Sequence, residues 1–499
     1  MQEKKGFSKD QWLIIITLII GTFLGRLDGT IVNLAIPKII SDFGITVSQA
    51  SWISTAYIIA NAVFVPVFGK MGDLVGRKPL YIWGIVGFTI SSMLAGLSFN
   101  LSSMVLFRII QAVTVSIDYP IALSIIAFEF TDQKQRAQAM GIWSGVFALA
   151  IVFGPLLGGP LTDAFGWRAV FYINVPLGAL GIYMAWKYIQ EPVHKIKGIK
   201  HFDWLGSLFL GVGLGTMVLV LDKGQDWGWT SMNSTISYIV STISMLAFLI
   251  IETREKEPVV DLKFFKNATF TAANVTSFIS FMGMFGGIFL LPIFAQTFLG
   301  YSVTKSGYLF IPMAVGVMMG VQIGTRLMFK VPMRIFVTLG MFWAAFMLYL
   351  FTGMDIKWTF WDIAWRLWLF AVGLGIGFAP ITQAATGTVP LKEVGVASSI
   401  LALSRNLAGA FGVAIFATLL SNSVTSKLLT IQKYSTINTT DPALLQTIPA
   451  LMISKANISA YGSVFQWAAL IVALGGISAF FLQDPPRHGP KPSHEAMEI

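Results

Sequence analysis

Four side chains stand out because they interrupt long apolar runs: Asp28, Arg108, Gln111 and Asp118. A charged group at mid-membrane costs about 2.5–3.5 kcal/mol on insertion scales, so each needs a task. Asp28 can load and release a proton, because burial favours the neutral carboxyl and a neighbouring arginine the carboxylate. Arg26 is two residues away and points to nearly the opposite helix face, a poor partner within its own helix. Gly21, Gly25 and Gly29 flank Asp28 and leave room for a second helix or a ligand. The competing reading is a fixed ion pair that only holds helices together. Arg108, Gln111 and Asp118 fall three and seven residues apart, a base–amide–acid stripe on one helix face. Asp118 reads as a second protonation site, as a counter-charge for a cationic solute, or as a salt-bridge partner of Arg26 or Arg405.

The elements that must carry these groups follow from composition. The 499 residues are 55% hydrophobic and 12% charged, with a mean hydropathy of +0.73. About fourteen continuous apolar runs between residues 11 and 482 are long enough to cross roughly 30 Å of hydrocarbon. Continuous runs, not alternating ones, disfavour a β-barrel. An all-α membrane protein is the fold class. The net charge of +10 comes from Lys and Arg in alternate loops, which places both termini in the cytoplasm and leaves no patch for nucleic acid. The basic N-terminus runs into a long first span and reads as a retained helix instead of a removed signal peptide. The absence of cysteine excludes disulfides and thiol chemistry, and the four histidines all lie in loops or the tail, so no metal site is expected. No phosphate-binding G-x-x-x-x-G-K-[ST] loop is present, and no nucleophile–base constellation suggests an enzyme.

Between the second and third runs, Gly69–Lys78 reads GKMGDLVGRK. Such a segment belongs in a short turn at the water interface, with Gly69, Gly72 and Gly76 bending the backbone. Asp73 can meet the positive N-terminus of the next helix, while Arg77 and Lys78 favour the cytoplasmic side. The segment resembles the loop signature of the major facilitator superfamily. Residues Arg326–Arg334 keep the bases of a faint second copy and lose its Gly-x-x-x-Asp core, as degenerate halves of a repeated transporter do.

Other segments narrow the resemblance to the fourteen-helix drug–proton antiporters of the EmrB/QacA type. LDGTIVNLAIP at Leu27–Pro37 resembles their first-helix motif, and RIIQ at Arg108–Gln111 their fourth-helix motif. The fifth-helix antiporter motif is matched by Gly154, Pro155, Gly158 and Gly159, and the start of the sixth helix by Trp167–Pro176. FDWLG at Phe202–Gly206 is similar to the start of the two extra central helices, and Ser404, Arg405, Asn406, Gly409 and Gly412 to a late-helix motif. Three positions depart: Ala112 replaces a usual Gly, Ala150 takes another small-residue place, and Asp118 occupies a usually apolar one.

The resemblance implies a major facilitator fold: two six-helix bundles related by a pseudo-two-fold axis, plus two inserted central helices. The expected organisation is 11–189 for the first bundle, 190–267 for a linker with the extra pair, 268–482 for the second bundle and 483–499 for a cytoplasmic tail. It implies an exporter of lipophilic, cationic drugs in exchange for protons, in a bacterial inner membrane, with no cofactor beyond the proton gradient. Proton coupling would fall to Asp28, Arg108 and Asp118. Gly69, Asp73, Gly76, Arg77, Lys78 and Arg136 would form a conformational latch in preference to a substrate site. The fifth-helix motif would seal one half against the other, or serve simply as packing glue. Candidate solute contacts are Asn33, Trp52, Tyr57, Asn61 and Gln111 from the first half, and Asn274, Phe278, Phe281, Phe285, Gln383 and Arg405 from the second. Aromatic faces with sparse polar groups suit flat lipophilic solutes. A monomer in the bilayer is expected; the resemblance leaves room for a periplasmic adaptor partner, which no residue here demonstrates. Export of an endogenous metabolite, lipid or amino acid, or a non-pumping sensor or channel, are the rival functions.

Overall fold

Capping and glycine chemistry set the helix ends in the computed structural model, which describes residues 7–45, 47–190, 202–255, 258–328, 330–390, 393–434 and 442–484. Helix α1 (Lys9–Phe43) opens on a reciprocal Ser8–Gln11 capping box and stops at Gly44, whose φ of 64° few other residues adopt. Helix α2 (Val47–Val75) is separated from α3 (Arg77–Gly96) by Gly76 alone, with φ 104°. The ten-residue signature is therefore not an open turn. Gly69 and Gly72 lie inside α2 and serve close packing: a Cβ on Gly69 would strike Ser399 and the Gly395 carbonyl, and one on Gly72 would strike Ile121.

The fourth span is also two pieces, α4 (Leu101–Val115) and α5 (Asp118–Glu129). Pro120 explains the break, since it has no N–H to give the carbonyl of Ser116 and its ring would clash there. Asp118 is thus the first residue of a new helical piece, joined to the first through Ser116 and Ile117, which keep helical φ and ψ. The remaining elements are α6 (Gln133–Phe165), α7 (Ala169–Tyr172), α8 (Asn174–Tyr188), α9 (Trp204–Trp227), α10 (Met232–Glu252), α11 (Ala268–Phe298), α12 (Val303–Tyr308), α13 (Phe310–Leu327), α14 (Met333–Tyr349), α15 (Phe360–Gly387), α16 (Val394–Tyr434) and α17 (Pro442–Ala479). Thirteen helical segments among the described residues are long and apolar enough to span a membrane. Helix α6, 33 residues long, is not among them, but it has the length and is shielded between α1 and α13. Helices α16 and α17 run well into the polar, Thr/Ser-rich 421–458 segment between the last two apolar runs.

Pairwise packing exposes the repeat. In the first bundle α1 packs on α6 and α8, α2 on α4, and α3 on α4 and α8. In the second, α11 packs on α16 and α17, α13 on α15, and α14 on α15 and α17. Each pairing has its counterpart, as a pseudo-two-fold relation requires. The bundles meet through α2 on α16 and α6 on α13, again equivalent pairs, and through α5 on α16. The inserted α9–α10 pair lies against α2 and α16, with α9 beside the seam. There Asp222 accepts from Thr55 at 2.5 Å and Lys223 lies 3.5 Å from Asp222. Across the far end, Asp42 accepts from the Trp167 indole at 2.9 Å and from Arg168 at 3.0 Å. These two donors, the indole first, hold its carboxyl below the usual carboxylate range.

Glycine on α6 allows the tightest contacts. A Cβ on Gly154 would collide with the Thr30 side chain and come within 3.0 Å of the Ile31 nitrogen, whereas one on Gly145 would meet nothing within 4 Å. Gly154→Val is expected to destabilise the α1–α6 contact by about 1–3 kcal/mol, the usual cost of overpacking. A lowered unfolding temperature in detergent for Gly154→Val, with Gly145→Ala unchanged, is the outcome to look for. Equal effects at both positions would contradict this packing.

Candidate functional site

Within the first bundle, α1, α4 and α8 bring four polar side chains into a fully buried knot. Asp28 of α1 is 0% exposed and Arg108 of α4 1%. Arg108 donates to Asp28 Oδ2 at 2.5 Å and to Gln111 Oε1 at 2.6 Å. The other carboxylate oxygen, Oδ1, accepts from Gln111 Nε2 and from Asn174 Nδ2, each at 3.0 Å. Asn174 also reaches Ser92 of α3 at 3.0 Å. The Tyr57 ring lies 3.9 Å from the Arg108 guanidinium carbon, and its hydroxyl donates to the Gly25 carbonyl at 3.3 Å. A desolvated ion pair gains when its remaining donors and acceptors are engaged; here both carboxylate oxygens are, while Arg108 Nε is buried without a hydrogen-bond partner. Arg108, not Arg26, is the partner of Asp28.

About two turns toward the Gly76 end, Asp118 has a different environment. Its Oδ2 accepts from Thr22 at 2.8 Å and its Oδ1 from Tyr81 at 3.4 Å. Trp143 of α6 in turn donates to the Thr22 hydroxyl at 2.8 Å. Its hydrogen-bond donors include these two hydroxyls, and Arg26 of α1 is a nearby cation that attracts it. A narrow crevice between α1, α3 and the α4–α5 break reaches Asp118 past Gly21, Tyr81 and Val115. This carboxyl is therefore less enclosed than Asp28.

Across the seam, Arg405 of α16 is a hub. It donates to Ser277 of α11 at 2.9 Å, to Thr382 of α15 at 2.9 Å, and over to Tyr119 of α5 in the other bundle at 2.5 Å. The Phe281 ring lies 4.9 Å from its guanidinium carbon. Next to it, Asn406 donates to Asn61 of α2 at 2.9 Å. Phe281 stacks on Phe378 at 5.2 Å, Phe278 meets Phe411 at 5.7 Å, and Phe285 fits against Gly409, giving α11 one aromatic face toward α15 and α16. Asn274 joins Ser404, and the buried Gln383 leaves its Oε1 without a hydrogen-bond partner.

The sequence candidates thus separate into groups. Tyr57 and Gln111 belong to the Asp28 knot, Asn61 and Arg405 to the seam, and the three phenylalanines to an aromatic wall. Trp52 is apart, 39% exposed and 5.6 Å from Lys223 of the inserted pair. Arg77 is buried over the Phe128 ring at 4.7 Å, and Arg136 donates to the Phe130 carbonyl at 2.9 Å. Gly158 is buried on α6. The side chains of Asn33 and Asp73, and the positions of Pro155 and Gly159 beyond their helix, lie outside the described residues, as does the tail after 484. Thr22, Tyr81, Ser92 and Trp143 escaped the sequence reading. Each is an ordinary residue type in its span, and only the packing of distant helices brings Thr22 and Tyr81 to Asp118, Trp143 to Thr22, and Ser92 to Asn174.

Residues 18–413 match the Major Facilitator Superfamily model. The chain belongs to that superfamily. It is 31% identical to the multidrug transporter protein MdtP of Bacillus subtilis, with 96% of this chain and 94% of that protein covered. It is also 31% identical to the multidrug export protein EmrB of Escherichia coli K12, over 85% of this chain and 83% of the relative. Among solved structures, the human organic anion transporter MFSD10 superposes with a TM-score of 0.59 at 13% identity, covering 93% of this chain and 100% of that one, a likeness of fold. The fold, the superfamily and the apolar helices mark a multi-pass membrane transporter, similar to relatives named for multidrug export.

Proposed function

We propose that this major facilitator protein exports lipophilic compounds, cationic ones favoured, in exchange for protons. The observation that carries the reading is the buried Asp28–Arg108 pair, whose carboxylate is ringed by Gln111 and Asn174. A proton on Asp28 removes one of two opposed charges and frees Arg108 to seek another partner. Proton binding therefore acts on the packing of α1 against α4 and α8. The bundles are joined at the Gly76 end, where Gly69 meets Ser399 and Gly141 meets Thr325. With the termini in the cytoplasm of a bacterial cell, that end is the inner one, and rocking about the seam would open it. Each inward proton contributes about 2.3 kcal/mol per 100 mV from the electrical component.

The aromatic wall of α11, together with Gln383, supplies faces for flat solutes. The test is a set of cationic, neutral and anionic fluorescent compounds in reconstituted vesicles. Acid-driven accumulation of cations above neutral analogues supports the reading. Downhill flux alone would point to a channel, and selective movement of an amphiphilic metabolite to the alternative cargo.

Asp118, reached by a crevice and held by hydroxyls, serves in this reading as a second proton acceptor. Asp118→Asn is expected to shift the pH dependence of export and lower its uphill rate severalfold. Unchanged uphill export with an unchanged pH profile would remove Asp118 from coupling.

A further inference from the structure

A second buried acidic site lies at the base of the inserted helix pair. Asp203 caps α9, its Oδ1 accepting from the Gly206 backbone at 2.7 Å. Glu252 ends α10, and its Oε1 accepts from the backbone N–H of Val260. Both residues are deeply buried, at 6% and 4% exposure. Their other oxygens, Asp203 Oδ2 and Glu252 Oε2, are sealed from solvent and have no hydrogen-bond partner. These two oxygens converge on one point, for a Cβ on Gly206 would strike the first and lie 3.1 Å from the second.

An ionised carboxylate only accepts hydrogen bonds. Two such oxygens facing one another in a buried site repel and leave both unsatisfied, at a cost of roughly 1–3 kcal/mol per group or more for charges. One proton resolves this: it makes one oxygen a donor, the other an acceptor, and forms the short O–H···O⁻ bond that charge assistance favours. We propose that Asp203 and Glu252 hold a single shared proton, forming a proton-binding site at the foot of the insert.

Among the described residues, the charges near the pair favour one proton over none. From the neighbouring α2, Lys70 is the cation near enough to act on Glu252. Arg254 and Glu255, next along the chain, are exposed. Lys70 adds a positive charge on that side, whereas two ionised carboxylates place two negative charges side by side in a buried site. Lys70 directly follows Gly69, the residue packed on Ser399 of the other bundle. Movement of α2 away from that contact carries Lys70 with it, so the grip of the pair on its proton is tied to the bundle seam. The site is separate from Asp28 and stands whether or not the export reading does.

Infrared difference spectroscopy on the full-length protein in lipid tests this. Wild type minus Glu252→Gln at neutral pH should show a protonated-carboxyl stretch, and wild type minus Asp203→Asn should show the same band. Raising the pH should remove the band from wild type, and Lys70→Gln should move that loss to higher pH, because the cation that favours the fully ionised pair is gone. Two difference spectra without such a band would overturn the site. So would a band that appears only after chelation strips a bound metal ion from the pair. Should Glu252→Gln fail to fold, the Asp203→Asn difference and the pH titration of the wild-type band decide alone.

Discussion

Asp28→Asn should abolish proton-driven export, bringing accumulation in reconstituted vesicles down to the passive level, while the protein still folds. Asparagine keeps the size of the side chain and one acceptor oxygen, so Gln111 or Asn174 can remain bonded to it. What disappears is the anion opposite Arg108, which lies 2.5 Å away in a site with no solvent. Breaking a buried pair by removing one partner typically costs about 3–5 kcal/mol, because the remaining charge is left uncompensated. That cost falls on the arrangement seen here and leaves no group at this position to exchange a proton. Arg108→Gln should give a comparable loss. If both variants still accumulate substrate uphill at wild-type rates, Asp28 and Arg108 are only a structural tie.

The second large effect is expected at Arg405. Its bond to Tyr119 crosses from one bundle to the other, whereas its bonds to Ser277 and Thr382 stay within the second. A hydrogen bond to a charged group contributes about 1.5–3 kcal/mol net. Removing it selectively from the closed seam should shift the balance between closed and open forms by about ten- to a hundredfold. Tyr119→Phe should reproduce much of this shift without disturbing the second bundle, and Arg405→Ala should exceed it and cut export by a similar factor. Because the chain has no cysteine, spin labels at Thr131→Cys and Lys330→Cys, exposed positions on opposite bundles, can report the separation directly. A label distance unaltered by Tyr119→Phe would contradict a clasp at this point.

Much of the fold could be read from local pattern, because a span announces itself by a long apolar run and the signatures fall in a fixed order. The Arg108–Gln111 pairing was local too, one helical turn apart. The partner of Asp28 was not, since helix geometry argued against Arg26 but which other arginine meets it depends on how α1 and α4 cross. Nor could the knot's outer members be found: Asn174 and Ser92 are 146 and 82 residues from their respective partners, Asp28 and Asn174. Pro120 did carry a readable signal for the break before Asp118. The length of the apolar run concealed it, because proline is tolerated in membrane helices when neighbours satisfy the freed backbone. In the signature segment the glycines suggested a bend, yet two of them serve helix contact. Glycine gives the same letter for a turn and for a close approach, and only Gly76 has the positive φ that separates them. The orphaned oxygens of Asp203 and Glu252 were equally hidden, for a capping aspartate and a terminal glutamate look solvent-facing until Gly206 and Val260 are seen packed on them.

Proton release on substrate binding is the most direct measure of the exchange carried by Asp28. Purified protein in weakly buffered detergent solution should acidify the medium when a transported cation is added, and Asp28→Asn should abolish most of that signal while still binding the compound. Substrate binding that releases no proton from the wild type, or the same proton release from Asp28→Asn, would contradict the coupling assigned to this carboxyl.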